Sequence, residues 1–349
     1  MKYRIGLIGC GGIAGTWVQA VAQHPDCHIA LTYDLSPQAA AQRAAEAGGR
    51  AVKDLEELFG SDQIDMVIVA TPTPSHPDLV IRAAQAGKHA LCEKPMALSL
   101  KECRRMGAAC QRAGVKLAVG HSLRFWGAFL ACRRLVAEGA IGAPVSGSID
   151  RIWAARLHPV AEAGKDETWR AQTRNTGGAV LEGFVHEMDF TRAVFGEVAA
   201  VDCQIAGDQE YAGLLSPQIV QALVRFESGA LVTLRTGGTV ALPSMGYWLA
   251  GTEGALRFTA WGGPLEHYRH DFPEKKLVEC EKTSAYYLEL CDLIRAIEEG
   301  GEPENSPANG EKNVGLGLAM YRAFETGRRV AFAEGIPLRL PATYQNTQW

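Results

Sequence analysis

The sequence predicts an α/β protein with an N-terminal doubly wound parallel sheet, followed by an α+β part with a large, mainly antiparallel sheet. Short apolar runs alternate with helical patterns from residue 4 to residue 119, as in successive βαβ units. A glycine-rich turn, Gly9-Cys10-Gly11-Gly12, follows the first apolar run. Beyond about residue 121 the pattern changes to strand-like runs joined by hairpin signals, which is typical of an antiparallel sheet.

The elements of the first half follow from local signals. Residues 66–70 form a continuous apolar run, which indicates a strand buried on both faces of a parallel sheet. Ser36-Pro37 supplies an N-cap and a proline at the first helical position, and Ser99 caps a later helix. The predicted strands are 4–8, 28–33, 66–70, 89–92 and 115–119. The predicted helices are 16–23, 37–47, a segment ending near residue 86, and 100–112.

The second half carries the mixed pattern of an α+β domain. Residues 224–227 and 230–234, joined through Ser228-Gly229, give the clearest hairpin. The predicted strands are 144–153, 198–206, 219–227, 230–236, 245–250 and 254–259. The predicted helices are 125–138, 178–194, 284–299 and 311–332. We therefore predict one domain over 1–122 and a second over 123–349, with the last helix packing back on the first domain.

Composition excludes several classes of function. The 349 residues carry a formal net charge of −4 and show no basic stripe, so nucleic acid is not an expected partner. Nine cysteines without a C-x-x-C pair are typical of free thiols in a reducing compartment. The sequence has no uninterrupted run of about 18 apolar residues, so no membrane span is expected. Glycines interrupt the apolar N-terminus, so a signal peptide is not expected either. We expect a soluble cytoplasmic protein.

The glycine-rich turn has the features of a phosphate cradle. It matches G-x-G-x-x-A between a strand and a helix, with Ala14 as the third small residue. The first glycine permits the tight turn, the second lets a pyrophosphate approach the backbone, and the helix N-terminus faces the phosphates. Asp34 ends the next strand, where it would accept hydrogen bonds from a ribose diol. This Rossmann pattern predicts NAD in preference to NADP, because residues 35–38 contain no Arg or Lys to pair with a 2′-phosphate.

Lys94 follows the carboxyl end of a predicted parallel strand, which is where open α/β sheets bind ligands. Taken alone, a lysine in a loop is most often a solvated side chain. Four motifs occur in order through the chain: Gly9 to Ala14, Ala70-Thr71-Pro72-Thr73-Pro74-Ser75-His76, Gly87 to Glu93-Lys94-Pro95, and Gly177-Gly178 followed by His186 and Asp189. Together they resemble the Gfo/Idh/MocA family, named for glucose–fructose oxidoreductase and inositol dehydrogenase. The resemblance covers nearly the whole chain.

The resemblance implies roles for particular residues. It implies that Lys94 reaches both the nicotinamide ribose and the reacting hydroxyl, and that His186 is the acid/base. Glu182 stands where many members have an Asp four residues before that histidine, so it either orients the imidazole or binds a substrate hydroxyl. The cofactor contacts expected in all are Gly9, Gly11, Gly12, Ile13, Asp34, Thr71, Pro72, His76, Glu93 and Lys94.

Other interpretations of His186 stay open. It can be a helix histidine satisfied by Asp189, since a histidine is only a candidate base until its neighbours are placed. A metal site built from Glu182, His186 and Asp189 is disfavoured, because no second histidine is near and no H-E-x-x-H motif occurs. We therefore predict no metal.

The substrate side is expected in segments that the family places around its cleft. Tryptophan faces suit the C–H faces of sugar rings, and arginine, asparagine and carboxylate groups suit hydroxyls, so the mixture favours a polyol. The same side chains could instead only pack and cover apolar surface. The substrate-binding residues that we expect are Lys94, Arg124, Trp153, Trp169, Arg174, Glu182 and His186.

These observations predict an NAD-dependent dehydrogenase of a sugar, sugar derivative or cyclitol. Two alternatives are an NAD-assisted glycosidase that oxidises its substrate transiently and a dinucleotide-sensing regulator without catalytic activity. A regulator need not keep Lys94 and His186, so the presence of both favours an enzyme. The resemblance also implies a homodimer or homotetramer formed through the C-terminal sheet, which makes 123–349 a substrate-binding and oligomerisation domain.

Overall fold

The structure is a computed structural model that describes residues 2–154, 173–207, 219–240, 243–271 and 273–347. Two compact units are present, one formed by Met1–Ser122 with Thr283–Glu311 and the other by Leu123–Lys282 with Lys312–Trp349. The domain boundary at residue 122 and the packing of the last helix on the first domain stay predictions.

Strands and helices alternate through the first part of the chain and strands dominate the second. The strands of the described residues are β1 (Tyr3–Ile8), β2 (Cys27–Tyr33), β3 (Arg50–Ala51), β4 (Met66–Val69), β5 (His89–Glu93), β6 (Leu117–Gly120), β7 (Pro144–Ala154), β8 (Val198–Ala206), β9 (Ile219–Phe226), β10 (Leu231–Val240), β11 (Ser244–Gly251), β12 (Gly254–Phe258), β13 (Leu265–Arg269), β14 (Lys276–Val278), β15 (Val330–Ala333) and β16 (Ile336–Pro337). The helices are α1 (Gly12–Gln23), α2 (Pro37–Ala47), α3 (Leu55–Gly60), α4 (His76–Gln85), α5 (Leu100–Ala113), α6 (Gly127–Ala137), α7 (Thr173–Thr176), α8 (Val185–Phe195), α9 (Ala285–Glu299) and α10 (Pro307–Thr326). Within the described part of the chain, no helix combines the length and the hydropathy that a membrane span needs.

The first unit is a parallel sheet covered by helices, as predicted. Over the described residues its six strands run in the order β3-β2-β1-β4-β5-β6, with every neighbouring pair parallel. This is the strand order of a dinucleotide-binding Rossmann fold. The chain adds strands toward one edge of the sheet up to β3 and toward the other edge from β4 onward, so the switch point lies between β1 and β4. β4 is buried along its whole length. On one face of the sheet, Trp17 of α1 meets Tyr286 of α9 edge to face, with ring centroids 5.0 Å apart.

The second unit is built on a mixed sheet that is mainly antiparallel, which confirms the predicted class. Its described strands follow the order β14-β13-β12-β11-β7-β10-β9-β8-β15-β16. Among those strands, β7 and β10 form the parallel pair. The predicted hairpin is present: β9 and β10 pair antiparallel, with Leu231 opposite Arg225, and Gly229 takes a φ of +90° in the turn. Glycine suits that turn because it adopts positive φ without strain.

A cluster of aromatic rings forms the core between the sheet and its helices in the second unit. Phe129 of α6 meets Phe190, Tyr247 and Phe258 edge to face, with ring centroids 4.6, 5.0 and 5.0 Å away. Tyr247 and Phe258 stack face to face across neighbouring strands at 4.5 Å. The four rings are almost completely inaccessible to solvent. They fix α6 and α8 against the sheet, since edge-to-face and stacked contacts restrict ring orientation.

The first and the last of the predicted helices have different ends in the structure. α1 begins at Gly12 instead of Thr16, with the extended Gly11 as its N-cap residue. The predicted last helix, 311–332, is wrong at both ends, since α10 covers Pro307–Thr326 and Val330–Ala333 forms β15 beside β8. Gly327 has a φ of +60°, which ends the helix, and residues 330–333 alternate between buried and exposed as a strand does.

Replacing Phe129 with alanine should lower the free energy of unfolding by about 3–5 kcal/mol, because it leaves a cavity among three rings. Denaturant titration followed by tryptophan fluorescence measures this. The matched control is Leu277→Ala, whose side chain is 64% exposed and whose loss should change stability by less than about 0.5 kcal/mol. A change below about 1 kcal/mol for Phe129→Ala would contradict the tight packing of this cluster.

Candidate functional site

The glycine-rich turn lies at the switch point of the parallel sheet, between β1 and α1. Gly9 has a φ of +90°, and a Cβ on it would lie 2.6 Å from the carbonyl oxygen of Ala70. A side chain is therefore excluded there. Gly11 and Gly12 differ, since a Cβ on either would meet no described atom within 4 Å. The backbone of these two residues consequently borders open space at the N-terminus of a twelve-residue helix, which is the geometry that phosphate groups need.

Asp34 lies beside this turn, at the end of β2. Its Oδ2 accepts a hydrogen bond from the backbone N–H of Cys10 at 2.7 Å, and its Oδ1 accepts one from Ser36 at 2.8 Å. Each carboxylate oxygen keeps lone pairs for further donors. The structure thus brings Asp34 to the glycine turn with an orientation set by two backbone donors.

Glu93 fixes the backbone from which Lys94 projects. Its side chain is only 7% exposed, its Oε1 accepts from the indole N–H of Trp17 at 2.9 Å, and its Oε2 accepts from the N–H of Lys94 at 3.2 Å. The peptide between Lys94 and Pro95 is cis. Lys94 itself is half-buried. The buried carboxylate therefore positions the lysine backbone at the carboxyl end of β5 while the lysine side chain remains partly accessible.

His76 connects the turn after β4 with the turn after β5. The imidazole is completely buried, with Nδ1 3.0 Å from the carbonyl oxygen of Pro95 and Nε2 2.8 Å from that of Thr71. Thr71 is also held through its hydroxyl, which accepts from Ser75 at 2.8 Å. His76 thus contacts the backbone at both ring nitrogens. Direct contacts of Thr71, Pro72 and His76 with a dinucleotide stay predictions.

In the second unit, Glu182 and His186 lie where a π-helical turn leads into α8. The turn covers Val180–Phe184, and the N–H of Val180 donates to the hydroxyl of Tyr321 at 3.1 Å. Glu182 is 7% exposed and His186 is half-buried. Such wide turns are frequent at functional sites, because they change the direction of side chains relative to a regular helix. The sequence predicted one continuous helix here.

Asp189 anchors α8 from one side. Its carboxylate is completely buried and forms a two-point ion pair with Arg124, with Oδ2 2.6 Å from Nε and Oδ1 2.9 Å from Nη2. Asn313 of α10 donates to Oδ1 at 2.7 Å. A buried carboxylate needs this complete set of donors to offset its desolvation. Arg124, predicted to bind substrate, therefore has its guanidinium on Asp189, and its contact with substrate stays a prediction.

Glu187 anchors the same helix to the sheet. It is completely buried, and both carboxylate oxygens lie within 3.3 Å of Nη1 of Arg151. The hydroxyl of Tyr247 donates to Oε1 at 2.9 Å. Burial raises the pKa of the Glu187 carboxyl above its ordinary value, and Arg151 opposes that shift. α8 is consequently held by two buried acids on either side of Met188.

Trp153 of β7 packs on the π-helical turn. A Cβ on Gly183 would lie 3.3 Å from Cη2 of the indole, and one on Gly238 would lie 2.0 Å from Nε1. Glycine is therefore required at 238 for the ring to occupy this position. The half-buried indole contacts the residue next to Glu182, so two of the predicted substrate residues lie close together in the second unit.

The remaining predicted residues have different outcomes. Ile13 lies in the first turn of α1, where its side chain is half-buried, and Arg174 is exposed on the short helix α7. Trp169 lies outside the described residues.

Sequence reasoning missed the anchoring role of Glu187, although an acidic residue on a predicted buried helix was a signal for a paired cation. It also missed Arg43, which is the basic residue of the otherwise alanine-rich α2.

The first unit fits a dinucleotide. Open space borders Gly11 and Gly12, a tight turn at Gly9 positions them, and Asp34 presents an oriented carboxylate. A family model for NAD-binding Rossmann oxidoreductases matches residues 3–121, and a GFO/IDH/MocA C-terminal domain matches residues 129–257. The chain belongs to the Gfo/Idh/MocA family. As a member of this family it is an oxidoreductase whose cofactor is NAD.

Two characterised relatives and one solved structure match this family member along almost their entire length. A 1,5-anhydro-D-fructose reductase of Ensifer adhaerens is 31% identical over 342 residues, which cover 95% of this chain and 99% of the relative. An inositol 2-dehydrogenase of Rhizobium meliloti is 26% identical, covering 95% and 100%. Among solved structures, a levoglucosan dehydrogenase in complex with NADH superposes with a TM-score of 0.86 at 22% identity, covering 96% and 100%. The structural likeness shows the fold.

Replacing Gly11 with valine should weaken NADH binding by at least about tenfold, because the side chain would fill the space that a phosphate needs. Fluorescence titration with NADH measures the dissociation constant. Gly60→Val is the matched control, since a Cβ at Gly60 also meets no described atom within 4 Å but lies at the end of α3. Equal NADH affinities for the two variants would contradict the placement of the phosphates at this turn.

Proposed function

We propose that the protein is an NAD-dependent dehydrogenase that transfers hydride between a secondary alcohol of a sugar, sugar derivative or cyclitol and the nicotinamide. The observation that carries this proposal is the similarity over 95% of the chain to a reductase of an anhydro sugar and to an inositol dehydrogenase. The named relatives share a substrate class of neutral, hydroxyl-rich rings. A fold alone would not indicate a substrate.

The proposal assigns Lys94 and His186 to the proton transfer. Oxidation of a secondary alcohol removes the hydroxyl proton as hydride leaves the carbon, and NAD supplies the hydride acceptor when bound. An imidazole can take that proton because it ordinarily titrates near neutral pH, so His186 is the proposed base. An ammonium group stabilises the negative charge that develops on the oxygen, which is the proposed role of Lys94. The fixed backbone of Lys94 supports this assignment, because catalysis by charge needs a preorganised group.

Glu182 is the proposed partner of His186 or of a substrate hydroxyl. Its carboxylate is nearly buried, and the turn that carries it is held by Tyr321 and by the indole of Trp153. A carboxylate in such a position accepts hydrogen bonds from an imidazole N–H or from a hydroxyl. Both roles fit an enzyme that acts on polyols.

The charge balance around α8 supports a neutral substrate. Arg124 is matched by Asp189 and Arg151 by Glu187. A phosphorylated or carboxylated sugar would need arginines that are not already compensated by carboxylates. Trp153 adds a rigid aromatic face near Glu182, and such faces suit the C–H groups of a sugar ring. We include Arg174 and Trp169 in the proposed substrate side on the family resemblance.

The outward face of the large sheet is the proposed interface of a homodimer or homotetramer. Leu223, Leu231 and Trp248 project from three of its strands and are 44%, 39% and 42% exposed. They share this face with Arg235 and Asp150, which form an ion pair at 3.0 Å. Exposed apolar side chains on one face of a sheet suit a surface that a partner covers, and a second copy of the chain is the proposed partner.

The experiment that tests the proposed activity is a screen of inositols, aldoses, anhydro sugars and glycosides with NAD, followed by NADH absorbance and product analysis. A dehydrogenase accumulates NADH in proportion to the oxidised product. Release of free sugar from a glycoside without accumulation of NADH would instead establish the glycosidase alternative. Binding of NADH without turnover of any compound would favour a dinucleotide-sensing protein.

Lys94→Ala should reduce kcat on the substrate found by the screen by at least about a hundredfold, since it removes the proposed charge stabilisation. NADH affinity should change much less than kcat, because only part of the expected cofactor contact is lost. Lys101→Ala is the control, as Lys101 is an exposed lysine in the first turn of α5. Undiminished turnover by the Lys94 variant would refute the assignment.

The double variant Leu223→Asp with Trp248→Asp should shift the protein toward monomers, because it places carboxylates in the proposed interface. Sedimentation velocity over a range of concentrations measures the assembly. Leu35→Asp, which places a charge at a 91% exposed leucine of the first unit and away from this sheet, should leave the assembly unchanged. A monomeric wild-type protein would contradict the proposed interface.

A further inference from the structure

Arg43 reaches the glycine-rich turn from α2. Its Nε donates to the carbonyl oxygen of Cys10 at 3.3 Å, and its Nη2 donates to that of Gly11 at 3.1 Å. The side chain is only 18% exposed. A Cβ on Gly15 would lie 3.0 Å from Nη1, so the guanidinium packs closely on the first turns of α1. Arg43 lies nine positions after Asp34 in the chain, yet both contact the same turn.

Cys10 is bracketed by opposite charges. The carboxylate of Asp34 accepts from its N–H at 2.7 Å, and the guanidinium of Arg43 donates to its carbonyl oxygen at 3.3 Å. Asp34 is the residue expected to accept hydrogen bonds from the hydroxyls of the adenosine ribose. A phosphate on the 2′ oxygen would therefore be repelled by Asp34 and attracted by Arg43. Arginine suits a phosphate because its planar fork presents several donors.

The positive charge of Arg43 is paired with a surface carboxylate, Glu46, whose place a bound phosphate could take. Its Nη1 forms an ion pair with Glu46, whose side chain is 38% exposed. Hydrogen bonds from Gln42 and Arg43 lower the pKa of the Glu46 carboxyl, so this group is charged at neutral pH. Ion pairs with solvent-exposed partners contribute little free energy. A phosphate dianion could consequently take the place of Glu46 at small cost.

We propose that Arg43 is a second determinant of dinucleotide choice: a preformed cation for the 2′-phosphate of NADP whose effect is opposed by Asp34. The preference for NAD then follows from one carboxylate and not from the absence of a basic residue near the ribose. Removing that carboxylate would be sufficient to admit NADP, with no arginine added to residues 35–38. This inference concerns the NAD site alone and is independent of the proposed sugar substrate.

A different role for Arg43 is a purely structural one, in which it only holds the carbonyl groups of the turn. The two roles differ in their effect on the two dinucleotides. A structural clamp supports the pyrophosphate of both, so its loss weakens NADH and NADPH equally. A 2′-phosphate partner affects NADPH alone, and the effect falls with increasing salt because it is electrostatic.

The test compares dissociation constants of NADH and NADPH, measured by fluorescence titration at low salt. The proteins are the wild type, Asp34→Ala, and Asp34→Ala combined with Arg43→Ala or Arg43→Gln. Asp34→Ala should strengthen NADPH binding by at least about tenfold, as removal of a like charge near a dianion predicts. Both Arg43 substitutions should abolish most of that gain in NADPH affinity. Their NADH affinity should stay within about twofold of that of Asp34→Ala alone. Arg43→Gln retains a donor for the carbonyl groups, so it separates charge from turn geometry.

Arg50→Ala in the Asp34→Ala background is the matched control. Arg50 is a surface arginine paired with Glu57 at 2.6 Å, and its side chain is 56% exposed, so its removal should leave the gain in NADPH affinity intact. The proposal is overturned if the gain survives without Arg43 or if Asp34→Ala gives no gain. An equal loss of NADH and NADPH affinity in both Arg43 variants also overturns it and establishes the structural clamp. Thermal melting of each variant verifies that it is folded.

Discussion

Buried carboxylates determine the position of the backbone segments that carry the candidate functional side chains. Glu93 accepts hydrogen bonds from Trp17 and from the N–H of Lys94 in the first unit. Asp189 and Glu187 perform the equivalent task for α8 in the second. A carboxylate removed from water is costly unless donors surround it, and losing one donor leaves an uncompensated charge. These networks therefore tolerate few alternative arrangements, which makes them suitable supports for preorganised groups.

The same residues explain why neighbouring acids in one sequence motif have different roles. Glu187 forms an ion pair with Arg151, and Asp189 forms one with Arg124. These two pairs hold the helix. Glu182 lies one turn earlier, in a π-helical segment packed against Trp153. Glu182 thus lies in the π-helical segment, whereas Glu187 and Asp189 lie in α8. A regular helix would distribute these side chains differently.

Side chains of opposite charge contact the dinucleotide turn on the two sides of Cys10. Asp34 accepts a hydrogen bond from the N–H of Cys10, and Arg43 donates one to the carbonyl oxygen of Cys10. In the proposed selection of the dinucleotide, these two residues act on a 2′-phosphate in opposite directions. Arg43 thereby links cofactor choice to α2, which local motifs around the glycines do not include.

The sequence by itself determined what depends on neighbouring residues: the glycine turn, the capped helix α2, the β9–β10 hairpin and the change from a parallel to a mainly antiparallel sheet. Local signals suffice there because turns, caps and strand patterns involve few residues. Only the tertiary structure decided the pairing of Arg124 with Asp189, the return of Arg43 to the turn, and the strand at residues 330–333. Each of these requires a partner distant in the chain, and spacing along one sequence does not encode which distant group will satisfy a buried charge or an unpaired strand.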